Sequence, residues 1–300
     1  MMMELPFDQV RTLLAVVDEG TFEAAAAALH VTPSAVSQRV KTLEQRTGRV
    51  LLMRTKPVRP TESGQVVVRF ARQLAAMEND ARLALGLASA SAPARLPIAV
   101  NADSLATWFQ QALTRVPQDP PIYFELYRED ESHTATLLRE GRVMAAVTSS
   151  AEPVAGCTVR VLGRARYLPV ANPEFAKRHL SSGVLERCLP DAPVIVFDRR
   201  DDLQDRFLRD FTPDGRGASQ LRHQIPTSEG FCEAVAAGLG WGLVPEPQAE
   251  PLLKTGSLVE LIPGQPVDVP LYWQQWKLDV PALTLVAETI AVSATEALYA

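Results

Sequence analysis

Hydrophobic side chains recur at helical spacing near the start of the chain, in two stripes separated by an alanine-rich segment. The first stripe predicts a helix over residues 5–18, and Val36, Val40 and Leu43 mark the buried face of another over residues 33–46. Between them, residues 24–29 are strong helix formers, while Thr32 and Pro33 are residue types that begin helices. The pattern predicts a helix pair with a tight turn at residues 30–31.

The polar face of the helix predicted over residues 33–46 carries short hydroxyls, an amide and a lysine, which suit base edges and phosphates in a major groove. Residues 49–61 then predict two short strands joined by a turn, a basic wing able to reach phosphate or the minor groove. The candidate DNA-binding residues are Thr32, Pro33, Ser34, Ser37, Gln38 and Lys41 on the helix, and Arg54, Lys56 and Arg59 on the wing.

Charge separates this interpretation from an ordinary alanine-rich hairpin followed by a solvated loop. Residues 32–73 contain nine Lys or Arg and two acids, a net charge of +7, whereas the whole chain carries −5. A basic segment on an acidic protein is the expected electrostatic mark of DNA binding. The segment is therefore predicted to be a winged helix-turn-helix.

A long proline-free segment follows, from residue 62 to about residue 88. Val67, Leu74, Ala81 and Leu85 recur there near heptad spacing. A helix of this length, about 40 Å at 1.5 Å per residue, cannot bury such a stripe against one small domain. We therefore predict a linker helix that pairs two chains. Small, helix-breaking residues at 89–94 place the domain boundaries at 1–61, 62–90 and 91–300.

Short apolar strands and helices alternate after residue 96, which favours an α/β fold with a parallel sheet in two lobes. Residues 157–163 close the first unit as one strand, and a second strand begins the next unit near residue 166. A strand at 269–276 and a helix at 281–298 return to the first unit. Lobe I is thus predicted to hold residues 95–164 and 268–300, and lobe II residues 165–267.

The carboxyl ends of these strands predict a crevice for a small molecule. Hydroxyls at helix starts favour an anion such as a carboxylate, whereas side-chain carboxylates can hold a cation, so an amino acid with a basic side chain satisfies both. Each residue also has an ordinary role as a helix cap or first-turn acid. The candidate effector-binding residues are Asp103, Ser104, Glu129, Asp130, Thr148, Asp198, Thr227, Ser228 and Glu229.

Composition excludes several other classes. With 47 % hydrophobic and 22 % charged residues, no long apolar run and no basic leader, the chain is expected to be soluble and cytoplasmic. Cys157, Cys188 and Cys232 are distant and odd in number, which favours buried thiols, with a redox-sensing pair as the alternative. No zinc spacing, phosphate loop or Ser/His/Asp arrangement is present, so we expect no metal, no cofactor and no enzyme activity.

The motifs of residues 7–64 resemble the N-terminal domain of the LysR-type transcriptional regulators. They read F-x-x-V-x-x-L-L-A-V-V-x-E-G-T-F-x-x-A-A-x-x-L, then S-A-V-S-Q-x-V-x-x-L-E, G-x-x-L-x-x-R and T-E-S-G. Pro33 stands where many members carry Gln, so the resemblance does not extend to base readout at that point. The resemblance implies a periplasmic-binding-protein-like sensor domain, a linker helix that pairs winged domains into a homodimer or dimer of dimers, double-stranded operator DNA, and RNA polymerase as a partner.

The sensor half carries a second, narrower resemblance. Its segments NADSLATWF, YREDESHTATLLREGRVMAAVT, PVAGC, TSEGF, GLGWGLVPE and PLYWQQWKL resemble the ArgP/LysG branch, which regulates lysine and arginine export. The resemblance implies an activator of a basic-amino-acid exporter gene that responds to lysine or arginine. The alternatives are a LysR-type regulator with a different effector, a ligand-independent nucleoid-type DNA-binding protein, and an enzyme tethered to DNA by its N-terminal domain.

Overall fold

Three helices form the start of the molecule. The computed structural model describes residues 5–85, 94–119, 121–128, 131–181 and 183–300, except for the side chains at 83, 84, 94 and 131–133. The helices are α1 (Phe7–Glu19), α2 (Phe22–Ala28) and α3 (Pro33–Thr47). Gly20 ends α1 with a left-handed φ of 73°, and the Thr21 hydroxyl accepts a hydrogen bond from the Ala24 amide at 3.1 Å. Thr32 caps α3 in the same way, through the Ala35 amide. The predicted helix-turn-helix is confirmed.

A short hairpin follows α3 and forms the wing. Its strands, β1 (Leu52–Met53) and β2 (Arg59–Pro60), pair antiparallel. The Glu44 carboxylate of α3 accepts hydrogen bonds from the amides of Leu51 and Leu52, at 2.8 and 3.3 Å. Because these bonds join the helix to the first strand, the wing keeps a fixed position beside α3.

The helix α4 (Glu62–Ala84) buries one face of its first half, with Val67, Val68 and Ala71, and carries an exposed apolar stripe on another face. Val67 lies in the core of the winged domain, so it is wrong as a member of the predicted pairing stripe. The exposed large apolar side chains of the described part of α4, and just beyond it, are Val66, Phe70, Met77 and Leu85. They follow helical spacing and define the exposed stripe of α4. The predicted boundary lies largely at residues 86–93, outside the described ranges.

The remaining elements form two lobes. Lobe I holds β3 (Ala94–Val100), α5 (Ala102–Ser104), a π-helical turn (Leu105–Phe109), α6 (Gln110–Thr114), β4 (Ile122–Arg128), α7 (Glu131–Arg139), β5 (Ala145–Thr148) and α13 (Pro281–Ala297). Lobe II holds α8 (Pro173–His179), α9 (Leu185–Cys188), β7 (Val194–Val196), α10 (Leu203–Phe211), β8 (Arg222–Gln224), α11 (Ser228–Ala236), β9 (Gly242–Pro245), α12 (Glu246–Lys254) and β10 (Val259–Glu260). Two strands, β6 (Cys157–Ala171) and β11 (Val267–Trp276), belong to both lobes.

One sheet of seven strands runs through both lobes in the order β10–β6–β11–β5–β3–β4, and β9 also pairs with β6. The β3–β4, β3–β5 and β7–β8 pairs are parallel, whereas the described pairs of β6 and β11 are antiparallel. The prediction of a parallel sheet is therefore correct only in part. The strands that cross between lobes run against their neighbours, which makes the sheet mixed.

The strand β6 is one continuous element of 15 residues, so the prediction of two separate strands near 157–163 and 166–171 is wrong. Gly163, the last residue of the first predicted strand, instead lies inside the continuous strand with a φ of 141°. The β6–β11 register shifts beside it, between Leu271 and Tyr272. Gly163 thus permits a bend at the transition between lobes without ending the strand.

Two helices of lobe II, α9 and α12, were not predicted from the sequence. The helix α12 contains Pro247 and Pro251, which indicate a loop when the sequence alone is considered. Proline is tolerated in a first helical turn, and Pro251 sacrifices only one internal hydrogen bond in a short helix. None of the helices in the described ranges has the length and apolar character needed to cross a membrane.

The three cysteines are free thiols. Cys157 and Cys232 are buried, and burial raises the pKa of each thiol to about 11. At neutral pH these two groups are therefore protonated and poorly nucleophilic.

Close packing against the backbone explains why a glycine, Gly64, ends the T-E-S-G motif, and this explanation can be tested. A Cβ there would lie 1.9 Å from the backbone oxygen of Leu51, so Gly64→Ala should destabilise the winged domain by about 3 kcal/mol. Gly48→Ala is the control, because Gly48 has a positive φ but open space, and should cost about 1 kcal/mol. Thermal melting and protease resistance of the full-length protein measure both. Equal effects would show that the close contact at Gly64 relaxes easily.

Candidate DNA interface and ligand cleft

The helix α3 presents its predicted DNA-facing residues to solvent. Ser34, Ser37, Gln38 and Lys41 are exposed, as are Thr32 and Pro33 at its start. The Thr32 hydroxyl lies 3.0 Å from the Ser34 hydroxyl and also caps the helix, so it has a structural role whether or not DNA is bound. The opposite face, with Val36, Val40 and Leu43, is buried in the domain core.

The wing carries three exposed cations. Arg54, Lys56 and Arg59 make no ion pair within the described part of the chain. Arg39 and Arg72 of the same region do have acidic partners, Asp8 and Asp18. The wing cations thus keep their charge available for phosphate.

A cleft of about 530 Å³ lies between the two lobes, which is a suitable size for a small metabolite. Lobe I contributes the turn after β3 and the segment after β5, and lobe II contributes the turn after β7, the start of α10 and the start of α11. The charged residues in its wall are Asp103, Arg128, Asp198, Arg200, Asp201, Asp202 and Arg206. Such a wall fits a ligand with groups of both signs.

Asp103 connects the lobes across this cleft. Its Oδ2 accepts a hydrogen bond from the Tyr167 hydroxyl of β6 at 2.8 Å. Burial raises the pKa of the Asp103 carboxyl; hydrogen bonds from Ser228 and Tyr167 lower it, and the charge of Glu229 raises it. Desolvation is the largest of these effects, so a cation placed beside Asp103 would be strongly favoured.

Asp201 is a second desolvated acid in the wall. It accepts hydrogen bonds from the amides of Phe197 and Leu203, at 2.7 and 3.1 Å. Burial raises the pKa of Asp201, these two bonds lower it, and the charges of Asp103 and Asp198 raise it again. The charge of Asp103 therefore disfavours the ionised form of Asp201, and a cation bound beside these acids would favour their charged forms. Within the described ranges, no group of three or more His, Cys, Asp or Glu side chains is placed to hold a metal ion.

Two buried amide side chains in the wall have oxygens that find no hydrogen-bond partner among the residues that the structure describes. They are Asn101 Oδ1 in lobe I and Gln204 Oε1 in lobe II, on residues only 5 % and 1 % exposed. An unpaired buried acceptor is costly, and a ligand rich in N–H groups could satisfy it. Asn101, Tyr167, Asp201 and Gln204 were absent from the candidate set. Asn101 directly follows β3 and is nominated by the strand-end rule, although it is not one of the nine candidates, whereas Tyr167 and Gln204 lie inside regular elements and gave no such signal.

The structure separates the predicted effector residues into groups. Asp103, Asp198 and Ser228 line the cleft. Ser104 and Thr148 are buried outside the lining set, Thr227 caps α11 through the Gly230 amide, and Glu229 is exposed. Glu129 and Asp130 lie outside the described residues. The assignment of all nine to an effector stays a prediction.

A winged helix-turn-helix joined by a long helix to a two-lobed domain with a ligand cleft is the design of a DNA-binding regulator controlled by a small molecule. Two family models match this chain: the bacterial regulatory helix-turn-helix protein of the lysR family over residues 7–65, and the LysR substrate binding domain over residues 89–291. The chain belongs to the LysR family.

Individual relatives extend over almost the whole chain. The HTH-type transcriptional regulator LysG of Mycobacterium tuberculosis is 44% identical over 292 residues, covering 97% of this chain and 94% of LysG. The crystal structure of ArgP from Mycobacterium tuberculosis superposes with a TM-score of 0.91 at 44% identity, covering 99% of each chain. Full-length LysG from Corynebacterium glutamicum with bound effector Arg gives 0.84 at 41% identity, covering 99% of this chain and 100% of that one. The predicted resemblance to the ArgP/LysG branch is confirmed.

The α3 face and the wing predict different roles for Gln38 and Arg54. Gln38→Ala should lose about 1–3 kcal/mol on the specific operator and little on random DNA, because an exposed amide at this position can read a base edge. Arg54→Ala should weaken both by similar amounts and reduce the salt slope by about one, because its exposed cation is predicted to contact phosphate and not a base. Binding titrations on both DNAs at several salt concentrations measure these effects. Equal losses on both DNAs for Gln38→Ala would remove Gln38 from the base-reading set.

Proposed function

We propose that this protein is a transcriptional activator of a basic-amino-acid exporter gene, controlled by lysine or arginine bound in the cleft between its lobes. The observation that carries the proposal is the pair of buried acids in the cleft wall, Asp103 and Asp201, whose carboxyl pKa values are raised mainly by loss of solvation. The relatives support it by name, since one from Corynebacterium glutamicum is the lysine export transcriptional regulatory protein LysG.

The cationic end of the effector is assigned to the acid side of the cleft. Asp103 and Asp201 supply opposite charge, and the unpaired oxygens of Asn101 and Gln204 accept N–H groups. A guanidinium carries five N–H donors in a rigid plane and an ammonium three, so either can bind several acceptors together. Glu129 and Asp130, which follow β4 in the sequence, remain part of the proposed set.

The α-carboxylate of the effector needs an opposite environment. Ser228 begins α11, a helix of nine residues whose N-terminus favours an anion, and Ser228 lines the cleft. The wall also contains Arg128 from lobe I. Ser228 is also a hydrogen-bond neighbour of the Asp103 carboxyl, so the start of α11 adjoins the acid side of the cleft, and an amino acid bound there would contact both lobes.

The proposed mechanism is an allosteric change in lobe arrangement. An effector that contacts both lobes favours the arrangement in which its contacts are complete, and this alters the spacing of the winged domains along DNA. By linkage, DNA held in that spacing raises effector affinity by the same factor. The protein would act in the cytoplasm as a homodimer or dimer of dimers, bound to operator DNA and contacting RNA polymerase, and would have no catalytic role.

The effector assignment can be tested by calorimetry. The wild type should bind arginine or lysine but not citrulline or norleucine, their uncharged counterparts. Asp103→Asn should lower the affinity at least tenfold, because loss of one partner of a desolvated charge pair costs about 2–5 kcal/mol. Since burial raises the pKa of Asp103 and a bound cation lowers it, cation binding should also release protons at pH values between the pKa of Asp103 in the free protein and in the complex.

Asp119→Asn is the matched control, because it removes an exposed carboxylate of lobe I that does not line the cleft. It should leave effector affinity unchanged. If the wild type binds neither amino acid, the proposed effector is wrong. If Asp103→Asn and Asp201→Asn both bind as tightly as the wild type, the acid side of the cleft does not hold the cation.

Pairing of two chains is assigned to the exposed stripe of α4, Val66, Phe70, Met77 and Leu85. Phe70→Glu would place an unpaired charge in the proposed contact between the two α4 stripes. The variant should sediment as a smaller species and bind weakly to an operator of two half-sites. Asn79→Glu adds the same charge about 180° around the helix and should leave the assembly intact. An unchanged assembly for Phe70→Glu would assign pairing to the sensor domains alone.

A further inference from the structure

The last residues of the chain reach from lobe I onto the strand shared by both lobes. The helix α13 packs on lobe I, and Tyr299 follows it at the C-terminal end. The Tyr299 and Arg164 backbones exchange two hydrogen bonds: Arg164 N–H to Tyr299 O at 2.7 Å, and Tyr299 N–H to Arg164 O at 3.0 Å. A Cβ at Gly163 would lie 2.8 Å from Tyr299 O, so the glycine permits this close approach.

The Tyr299 side chain extends the contact into lobe II. Its ring lies over the Arg166 guanidinium, with 3.6 Å from Cζ to the ring centre, and its hydroxyl donates to Glu246 Oε2 at 2.6 Å. Arg166 is fixed in turn by two hydrogen bonds to Asp268 of β11, at 2.8 and 2.9 Å. We call Tyr299, Arg166, Asp268 and Glu246 the C-terminal clasp.

The clasp adjoins two residues of the cleft wall. Successive side chains of a strand point to opposite faces, so Arg166 meets Tyr299 while its neighbour Tyr167 meets Asp103 inside the cleft. Glu246 directly follows Pro245, another wall residue at the end of β9. Tyr167 and Pro245 are also partners in the β6–β9 pairing. Both lobe II contacts of Tyr299 are thus one residue away from the cleft.

We propose that Tyr299 is a positioning residue for the effector cleft, acting through Arg166 and Glu246 to hold Tyr167 and Pro245 of lobe II against Asp103 of lobe I. The inference rests on the proposed function for the identity of the effector, but not for the clasp itself. Tyr299 belongs to the segment that follows a lobe I helix, and Glu246 begins a lobe II helix. The hydroxyl bond between them therefore stabilises the lobe arrangement in which Tyr167 reaches Asp103.

The alternative is that the contact only anchors the end of the chain. Tyr299 is 41 % exposed and its ring and backbone contacts would survive loss of the hydroxyl, so Tyr299→Phe isolates the bond to Glu246. An anchoring role predicts a change in stability without a change in the cleft. A positioning role predicts a change in effector affinity although no atom of the cleft wall is altered.

The test is effector titration by calorimetry on the full-length protein with arginine. Tyr299→Phe and Glu246→Ala should each weaken arginine binding about three- to tenfold, and the double variant should be no weaker than either alone, because both remove one bond. Glu246→Gln keeps an acceptor oxygen and should restore near wild-type affinity. Wild-type affinity in Tyr299→Phe, or losses that multiply in the double variant, would overturn the proposal.

A second measurement needs no effector. Spin labels at Gln111→Cys in lobe I and Gln220→Cys in lobe II, both exposed positions, report the distance between lobes in a Cys188→Ser background. Tyr299→Phe should broaden or shift that distance distribution, and Glu246→Gln should not. If arginine fails to bind the wild type, the effector assignment fails and this distance alone decides the clasp. An unchanged distribution in Tyr299→Phe would overturn the positioning role.

Discussion

The antiparallel pairing of β6 with β11 is the constraint on which the sensor domain depends. The two strands stay paired from Cys157 with Trp276 to Tyr167 with Val267, and pass through both lobes. Because both lobes share the paired strands β6 and β11, the lobes cannot move independently. We expect a change in the angle between the lobes to bend this strand pair where its register shifts, beside Gly163. The cleft and the C-terminal clasp lie just beyond that point, on opposite faces of β6. A change in the angle between the lobes therefore alters the position of both the cleft residues and the C-terminal clasp, because all of them are attached to the β6–β11 strand pair.

The cleft wall is electrostatically incomplete without a ligand. Burial of Asp103 and Asp201 costs solvation that their hydrogen bonds to Tyr167, Phe197 and Leu203 offset only in part, as the raised pKa of each carboxyl indicates. A protein selected only for stability would replace such acids with neutral groups. Their presence in a cleft, with unpaired amide oxygens nearby, is better explained by a cationic ligand that completes the set.

Sequence reasoning predicted the local elements well and the long-range arrangement less well. Caps such as Thr21 and Thr32 are local signals, and the helices that they begin, α2 and α3, lie close to where the pattern places them. The sequence could not predict that β6 is one continuous strand, because a glycine such as Gly163 is typical of a strand end unless the partner strand is known. Tyr167 and Gln204 were missed as wall residues for the same reason: nothing local indicates which face of a strand or helix meets the opposite lobe.

The helix α4 links the DNA-binding domain to lobe I through one face. Arg69 donates to the Ala155 carbonyl at 2.9 Å, and Gly141 lets the helix approach so closely that a Cβ there would lie 2.8 Å from the Cα of Arg69. Arg72 donates both to the Glu140 carbonyl of lobe I and to the Asp18 carboxylate of α1. A shift of lobe I against α4 must therefore break or strain contacts that also hold α1. Within one chain, this shared arginine connects lobe I directly to α1 of the winged domain.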